Sequence, residues 1–406
     1  MSSAARRNLG FAALVVLIAL NLRAFLASTS PLLGEIQAAT GLGLRGLSLL
    51  TMLPMFAMGV MALAGVSWGA RIGTHAGVLG GLAAIAAACA MRLWAGSAWV
   101  LLFSAALAGV GVGLVQALMP AAIKRGYPDH TGMAMGLYSA ALMGGGGLGA
   151  LGAPWIAQAS GQWHFGLAAW AVPAVLAALA WLTQRERSSA GEASGGHGDW
   201  RPCLRNRRAW TLVLYFGLIN GGYSSLVAWL PQYFAAQGWS RASAGSMLAL
   251  MTLAQLASAL VVPALAHGRR DLRPWLMAML VLQLAGFLAL LFKAPMPALV
   301  IVVLGLGLGG SFALSLALAL DHVPDPQQAG TLAAFMQGLG FMLAAASPWM
   351  TGWVREAFGG FDPVWIYLAA VAAMMLPLSL CFGPRGYAAA GAGLFAARAG
   401  RGRPPP

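Results

Sequence analysis

The chain has 406 residues, 60% of them hydrophobic and only 8% charged, with mean hydropathy +0.76 and a formal net charge of +14. No water-soluble core absorbs that apolar fraction, so soluble enzymes are excluded. Nucleic-acid binding needs basic residues clustered on one face of a soluble domain, and the apolar stretches leave no room for such a domain.

Taken in chain order, twelve stretches are long and apolar enough to cross a bilayer: 9–33, 45–68, 74–94, 97–120, 132–157, 164–183, 209–234, 242–266, 273–292, 296–320, 329–354 and 362–383. Crossing about 30 Å of hydrocarbon takes about 20 mostly apolar residues in a helix. The expectation is an all-α membrane protein with twelve transmembrane helices in two pseudo-symmetric six-helix bundles. The bundles are residues 1–183 and 209–383, joined by a linker at 184–208 and followed by a tail at 384–406. Arg6 and Arg7, the apolar run after them and the small residues Ala27–Ser30 resemble a signal peptide. Arg23 interrupts the run and eleven more spans follow, which favours retention as the first membrane helix.

Basic residues set the expected orientation. With the N-terminus inside, the inside segments hold 18 of the 24 Lys and Arg, including six arginines between 185 and 208. The outside loops hold Arg45, Arg92, Arg241, Lys293 and Arg355. Retention of basic residues on the cytoplasmic side predicts that both termini and the linker are cytoplasmic, in a multi-pass protein of the cell (inner) membrane.

The two halves repeat at a shift of about 200 residues. GVGVGLVQALMPAAIKRGYPDHTGMAMGLYSAALMGGGGLGALGAPW in the first half parallels GLGLGGSFALSLALALDHVPDPQQAGTLAAFMQGLGFMLAAASPW in the second. Both end at Pro-Trp, and Pro31 pairs similarly with Pro231. Parallel repeats place a binding site near the midplane between halves that rock for alternating access. Spans one, four, seven and ten are expected to line it. The run Gly144 to Gly147 with Gly149 and Gly152 offers a flat face for packing at a moving interface. Gly305 to Gly310 matches G-x-G-x-x-G, but inside an apolar span with no preceding strand it is no dinucleotide fingerprint. Cys89, Cys203 and Cys381 form no C-x-x-C pair, so no disulfide framework or metal site is expected.

All ten acidic residues lie in loops or at span ends. One permanent charge is deep: Arg23 lies about 21 Å along the first helix if that helix enters near Leu9. A charge at that depth is costly and ordinarily faces a cavity. The alternatives are snorkelling towards headgroups or pairing with Glu35. Other polar groups recur in the spans: Asn21, Gln116, Tyr138, Ser139, Asn220, Tyr223, Ser224, Trp229, Gln232, Ser311, Ser315 and Gln337. Singly, each is as well explained by a hydrogen bond between helices. With Arg23 they describe a cavity with one fixed positive charge, neutral donors and aromatic walls. Guanidinium binds planar oxyanions through two donors, so the expected ligand is a small anion or a planar polar molecule. Arg23, Asn21, Gln116, Tyr138, Tyr223, Trp229 and Gln337 are the candidate site. No catalytic motif, cofactor or metal site is evident.

Two six-span halves with a basic central loop resemble the major facilitator superfamily. Its signature after the second span survives as Gly69-Ala70-Arg71-Ile72-Gly73-Thr74-His75, with Ala70 where the family has an acid. A closer resemblance, to the cyanate/2-nitroimidazole transporter branch, rests on Asn21-Leu22-Arg23, Pro31-Leu32-Leu33 before Glu35-Ile36, Ile123-Lys124-Arg125 with Pro128, Gly136-Leu137-Tyr138-Ser139 and Ala228-Trp229-Leu230-Pro231. The resemblance implies secondary transport of a small anionic or polar solute; a monomer in the bilayer, without nucleic-acid partners, is the expected unit. A cytoplasmic gate is expected at Arg71, Lys124 and Arg125, with Asp129 as the candidate partner for the missing acid; the alternative is that these are only basic residues retained on the inside. The alternatives are efflux of neutral or anionic drugs or metabolites by the same fold, and a membrane-embedded enzyme or receptor, which the duplicated halves argue against.

Overall fold

In hydrocarbon every backbone N–H and C=O must be satisfied within the segment, which leaves the helix as the element these apolar runs can form. A computed structural model describes residues 3–126, 131–184, 200–266, 268–269, 271–323 and 325–384, and twelve of its helical segments are long and apolar enough to span a membrane. In the first half the helices are α1 (Ser3–Ala27), α2 (Leu33–Thr40), α3 (Leu44–Ile72), α4 (Thr74–Met91), α5 (Ala98–Gly126), α6 (Thr131–Ser160), α7 (Trp163–Ala168) and α8 (Ala171–Leu182). The second half comprises α9 (Arg207–Ala236), α10 (Arg241–Ala266), α11 (Arg273–Leu291), α12 (Pro297–Asp321), α13 (Pro326–Phe358) and α14 (Asp362–Leu380).

Two spans differ from the sequence expectation. The first breaks after Ala27 into a single 3-10 turn, Ser30–Leu32, and the short α2. Proline lacks an N–H and cannot continue the helical ladder, and the freed end is capped three times over. Ser28 Oγ at 2.9 Å, Thr29 Oγ1 at 3.3 Å and Arg92 Nη1 at 3.1 Å all donate to the carbonyl of Phe25. Pro231, by contrast, lies inside the unbroken α9, so the expected parallel between Pro31 and Pro231 fails. The sixth span is divided into α7 and α8 by a turn at Ala169–Trp170.

The repeat is visible in how helices touch. On α5, Gly109 and Gly113 face the backbone of α3 at Pro54 and Met58, and a methyl group on either would overlap it. On α12, 196 positions later, Gly305 and Gly309 face the backbone of α10 at Met251 and Gln255 in the same way. Glycine at i and i+4 lets two helix backbones approach where any side chain would hold them apart.

The halves meet along α3 with α13 and along α6 with α10. Gly59 of α3 abuts Gly338 and Met342 of α13, and Gly245 of α10 abuts the Ala150 carbonyl of α6. On the membrane face opposite the N-terminus, two ion pairs cross between halves: Arg45 Nε to Glu356 at 3.1 Å and Arg241 Nη1 to Glu35 at 2.5 Å. The remaining ion pair among the described residues, Arg273–Asp271, lies within the second half on the N-terminal face.

Candidate functional site

The glycine run on α6 splits into two rows with different partners. Gly145 and Gly149 pack against the backbone of α1 at Leu20 and Ala24, one turn apart, within the same half. Gly146 and Gly147 turn instead towards Thr252 and Ala249 of α10, across the divide. Only the second row therefore packs against the other half. Together the rows bring α1, α6 and α10 close around the side chain between Leu20 and Ala24, which is Arg23.

Arg23 is buried, with 9% of its surface exposed. Its guanidinium carbon sits 5.0 Å from the centroid of the Tyr223 ring on α9. A cation over an aromatic face in a desolvated site contributes about 2 kcal/mol, which offsets only part of the burial. Its Nε has no hydrogen-bond partner, and neither has the hydroxyl of buried Tyr138 on α6, which lies within electrostatic reach of the guanidinium. Around them is a cavity of about 20 Å³ lined by Arg23, Met143, Ile219, Asn220, Tyr223, Thr252, Gln255, Leu308, Gly309 and Phe312. A water needs roughly 10–15 Å³ on this measure, so the space beside Arg23 takes about one water-sized particle.

Both alternatives for Arg23 fail. It does not face lipid, since it lies between α1, α6, α9 and α10. Nor does it pair with Glu35, which is held by Arg241.

The other candidate residues separate into those that join Arg23 and those that do not. Tyr223 and Tyr138 join it. Asn21 does not: its Nδ2 donates to the carbonyls of Leu17 at 2.7 Å and Pro173 at 3.2 Å, tying α1 to α8. Trp229 lies about 9 Å further along α9 at 1.5 Å per residue, donating to the Pro348 carbonyl at 3.2 Å and carrying Arg355 over its ring at 5.3 Å. Gln116 and Gln337 are half-buried on α5 and α13 and do not line the cavity. Ser224 donates to the Ala344 carbonyl, Ser311 accepts from Gln283, Ser315 donates to the Phe312 carbonyl and Gln232 accepts from Arg355. These are helix-to-helix or intrahelical bonds.

Helix α5 was expected to line the cavity and does not, whereas α6 and α10 do. The glycine contacts explain it: α6 rides on α1, and α10 rides on α12 at Gly305 and Gly309. Thr252 and Gln255 were missed. Their spacing of three puts both on one face of an otherwise apolar span, a signal present in the sequence.

Of the gate residues, Arg71, Lys124 and Arg125 are exposed at the N-terminal face, at the ends of α3 and α5, and Asp129 lies outside the described residues. Arg125 borders a second cavity of about 320 Å³ with Phe11, Thr74, His75, Trp181 and Gln184. His75 and Trp181 close its wall, stacked at 5.6 Å, with Trp181 Nε1 donating to the His75 carbonyl at 3.0 Å.

The family model described as Major Facilitator Superfamily matches residues 11–348. The chain is 45% identical over 374 residues to the "Cyanate transport protein CynX" of Escherichia coli (strain K12), covering 91% of this chain and 96% of that protein. It is 28% identical over 377 residues to a "2-nitroimidazole transporter" of the same organism, covering 91% and 94%. Among solved structures, a D-xylose–proton symporter superposes with a TM-score of 0.74 at 15% identity, covering 93% of this chain and 99% of that one. The nucleoside transporter NupG gives 0.72 at 12% identity, covering 91% and 98%.

Proposed function

The chain belongs to the major facilitator superfamily, and on that premise we propose that it is a secondary active transporter of a small anionic or planar polar solute, of which cyanate is the first to test. The observation that carries the proposal is Arg23: a buried guanidinium at the junction of both halves, with an unpartnered Nε and no ion pair among the described residues. Such a group supplies a fixed positive charge and planar donors to an anion. Solute entering from one side would contact Arg23 and Tyr138 of the first half, and Asn220, Tyr223, Thr252 and Gln255 of the second. Contacts with both halves couple binding to their rocking.

The excess of basic residues on the N-terminal side supports cytoplasmic termini in a multi-pass protein of the cell (inner) membrane. The two cross-half ion pairs then close the outer face. Residues from both halves of one chain line the cavity, which supports a monomeric unit. Efflux of neutral or anionic compounds is the second reading, since the site lacks the membrane carboxylate that a cationic drug would need.

The experiment is uptake of labelled cyanate and 2-nitroimidazole into proteoliposomes of the purified chain, with and without an imposed pH gradient. Saturable uptake that exceeds protein-free vesicles supports the proposal. Permeation equal to protein-free vesicles for both solutes removes it.

A further inference from the structure

Resting on the reading of Arg23 as the solute site, we propose that this transporter is an obligate anion exchanger: its halves pass through the closed arrangement only with an anion held at Arg23. Among the described residues no acid pairs with Arg23. Of the ten acids in the sequence, none lies within the middle of a span. Glu35 and Glu356 are taken by Arg241 and Arg45 at the face opposite the N-terminus, and Asp271 is taken by Arg273 at the N-terminal face. Asp321, Asp325 and Asp362 lie at helix ends, and Asp129, Glu186, Glu192 and Asp199 belong to connecting segments of the sequence.

Beside Arg23 stand the Tyr223 ring, the Tyr138 hydroxyl and the neutral side chains of Asn220, Thr252 and Gln255. Both unpartnered atoms, the Nε and the Tyr138 hydroxyl, can donate. With no carboxylate paired to Arg23 among the described residues, the group that completes this site is an acceptor with negative charge. An unpaired buried cation is strongly penalised. A carrier returning without an anion would carry Arg23 unpaired through the closed arrangement, whereas one returning with an anion would not. The return step thus needs a small anion from the other side. Exchanging one monovalent anion for another moves no net charge.

The test uses the full chain in liposomes with equal potassium and valinomycin on both sides, so that membrane voltage is fixed. Labelled cyanate is added outside, and the lumen holds either cyanate or gluconate, a much larger anion. Uptake into cyanate-loaded vesicles is expected to exceed that into gluconate-loaded vesicles at least about tenfold, a factor equivalent to 1.36 kcal/mol of barrier. Equal initial rates overturn the exchange proposal. A parallel titration of cyanate, formate and nitrite on purified wild type and Arg23→Gln separates the two failures. Arg23-dependent binding with equal rates removes exchange alone. Binding of none of the three, or equal binding to both proteins, removes the Arg23 site and the exchange with it. The flux comparison needs only the wild-type chain, so a variant that fails to fold does not affect it.

Discussion

Arg45 and Arg241 occupy the same place in the two halves, 196 positions apart in the first turn of α3 and of α10, and each reaches across the divide to an acid of the other half. The arginines follow the repeat and the acids do not: Glu356 ends α13, whereas Glu35 lies in α2, a helix created by the break at Pro31. Arg241 and Glu35 touch at 2.5 Å without hydrogen-bond alignment, so the contact is mainly coulombic.

These pairs bias the halves towards closure on that face. Exposed ion pairs contribute about 0.2–1 kcal/mol each, and both arginines are half-exposed or more. Replacing both Glu35 and Glu356 by glutamine should shift the ratio of closed to open forms by up to roughly thirtyfold. A cysteine at Ser48, buried beside Gly352, reports it by maleimide labelling once exposed Cys381 is replaced by serine. Unchanged labelling would remove the gating role of these pairs.

The α1–α6 contact should tolerate no side chain at its two glycines. Gly149→Val and Gly145→Val would drive Cβ into the carbonyls of Ala24 and Leu20, and overpacking costs about 1–3 kcal/mol. Gly136→Ala, with nothing within 4 Å of its Cβ, should be neutral. Thermal melts of the purified protein check this, with lower melting temperatures expected only for the two valines.

His322 makes stability depend on pH. It caps α12 just beyond the membrane-spanning segment, donating from Nδ1 to the Leu318 carbonyl at 2.6 Å and accepting from Arg208 Nε at 3.0 Å. That arrangement holds a neutral imidazole. Burial pushes its pKa down from 6.5 to about 4, against the Leu318 bond and with help from the Arg208 charge. A depressed folded value means the stabilisation is whole above pH 6.5 and is lost as pH falls from 6.5 towards 4. At 1.36 kcal/mol per unit the loss is at most about 3 kcal/mol. Melting temperature should fall between pH 7 and pH 4.5 in wild type, and less steeply in His322→Gln. Parallel slopes would show that other groups carry the acid sensitivity.

Two substitutions separate binding from structure. Tyr138→Phe removes a buried hydroxyl that has no partner, so stability should be unchanged or raised while anion binding weakens by about three- to tenfold, the equivalent of 0.5–1.5 kcal/mol. Asn21→Ala removes the bonds to Leu17 and Pro173 and should lower the melting temperature while leaving affinity within about twofold. The reverse pattern would exchange their roles.

The fold was legible in the sequence because apolar length and basic asymmetry act residue by residue along one chain. Arg23 was legible for the same reason: a charge deep in hydrocarbon is costly wherever it faces. Of its companions Tyr138 and Tyr223 were legible and the rest were not, because a polar side chain in a span satisfies a neighbouring helix as readily as a solute. Asn21 and Trp229 read like ligands and prove to be ties to α8 and α13. Gln255 and Thr252 were overlooked because the lining by α6 and α10 depends on which glycines meet which backbones. The pairing of Glu35 with Arg241 depends on tertiary proximity in the same way.

The central claim is that Arg23 binds the solute through its planar fork, and a titration of cyanate on purified wild type, Arg23→Ala and Arg23→Lys tests it most directly. A buried hydrogen bond to a charged group contributes about 1.5–3 kcal/mol, so alanine should weaken binding by roughly ten- to a hundredfold. Lysine should recover little, because ammonium lacks the fork. Equal affinity in three folded proteins would place the site elsewhere and leave Arg23 as a structural cation over Tyr223.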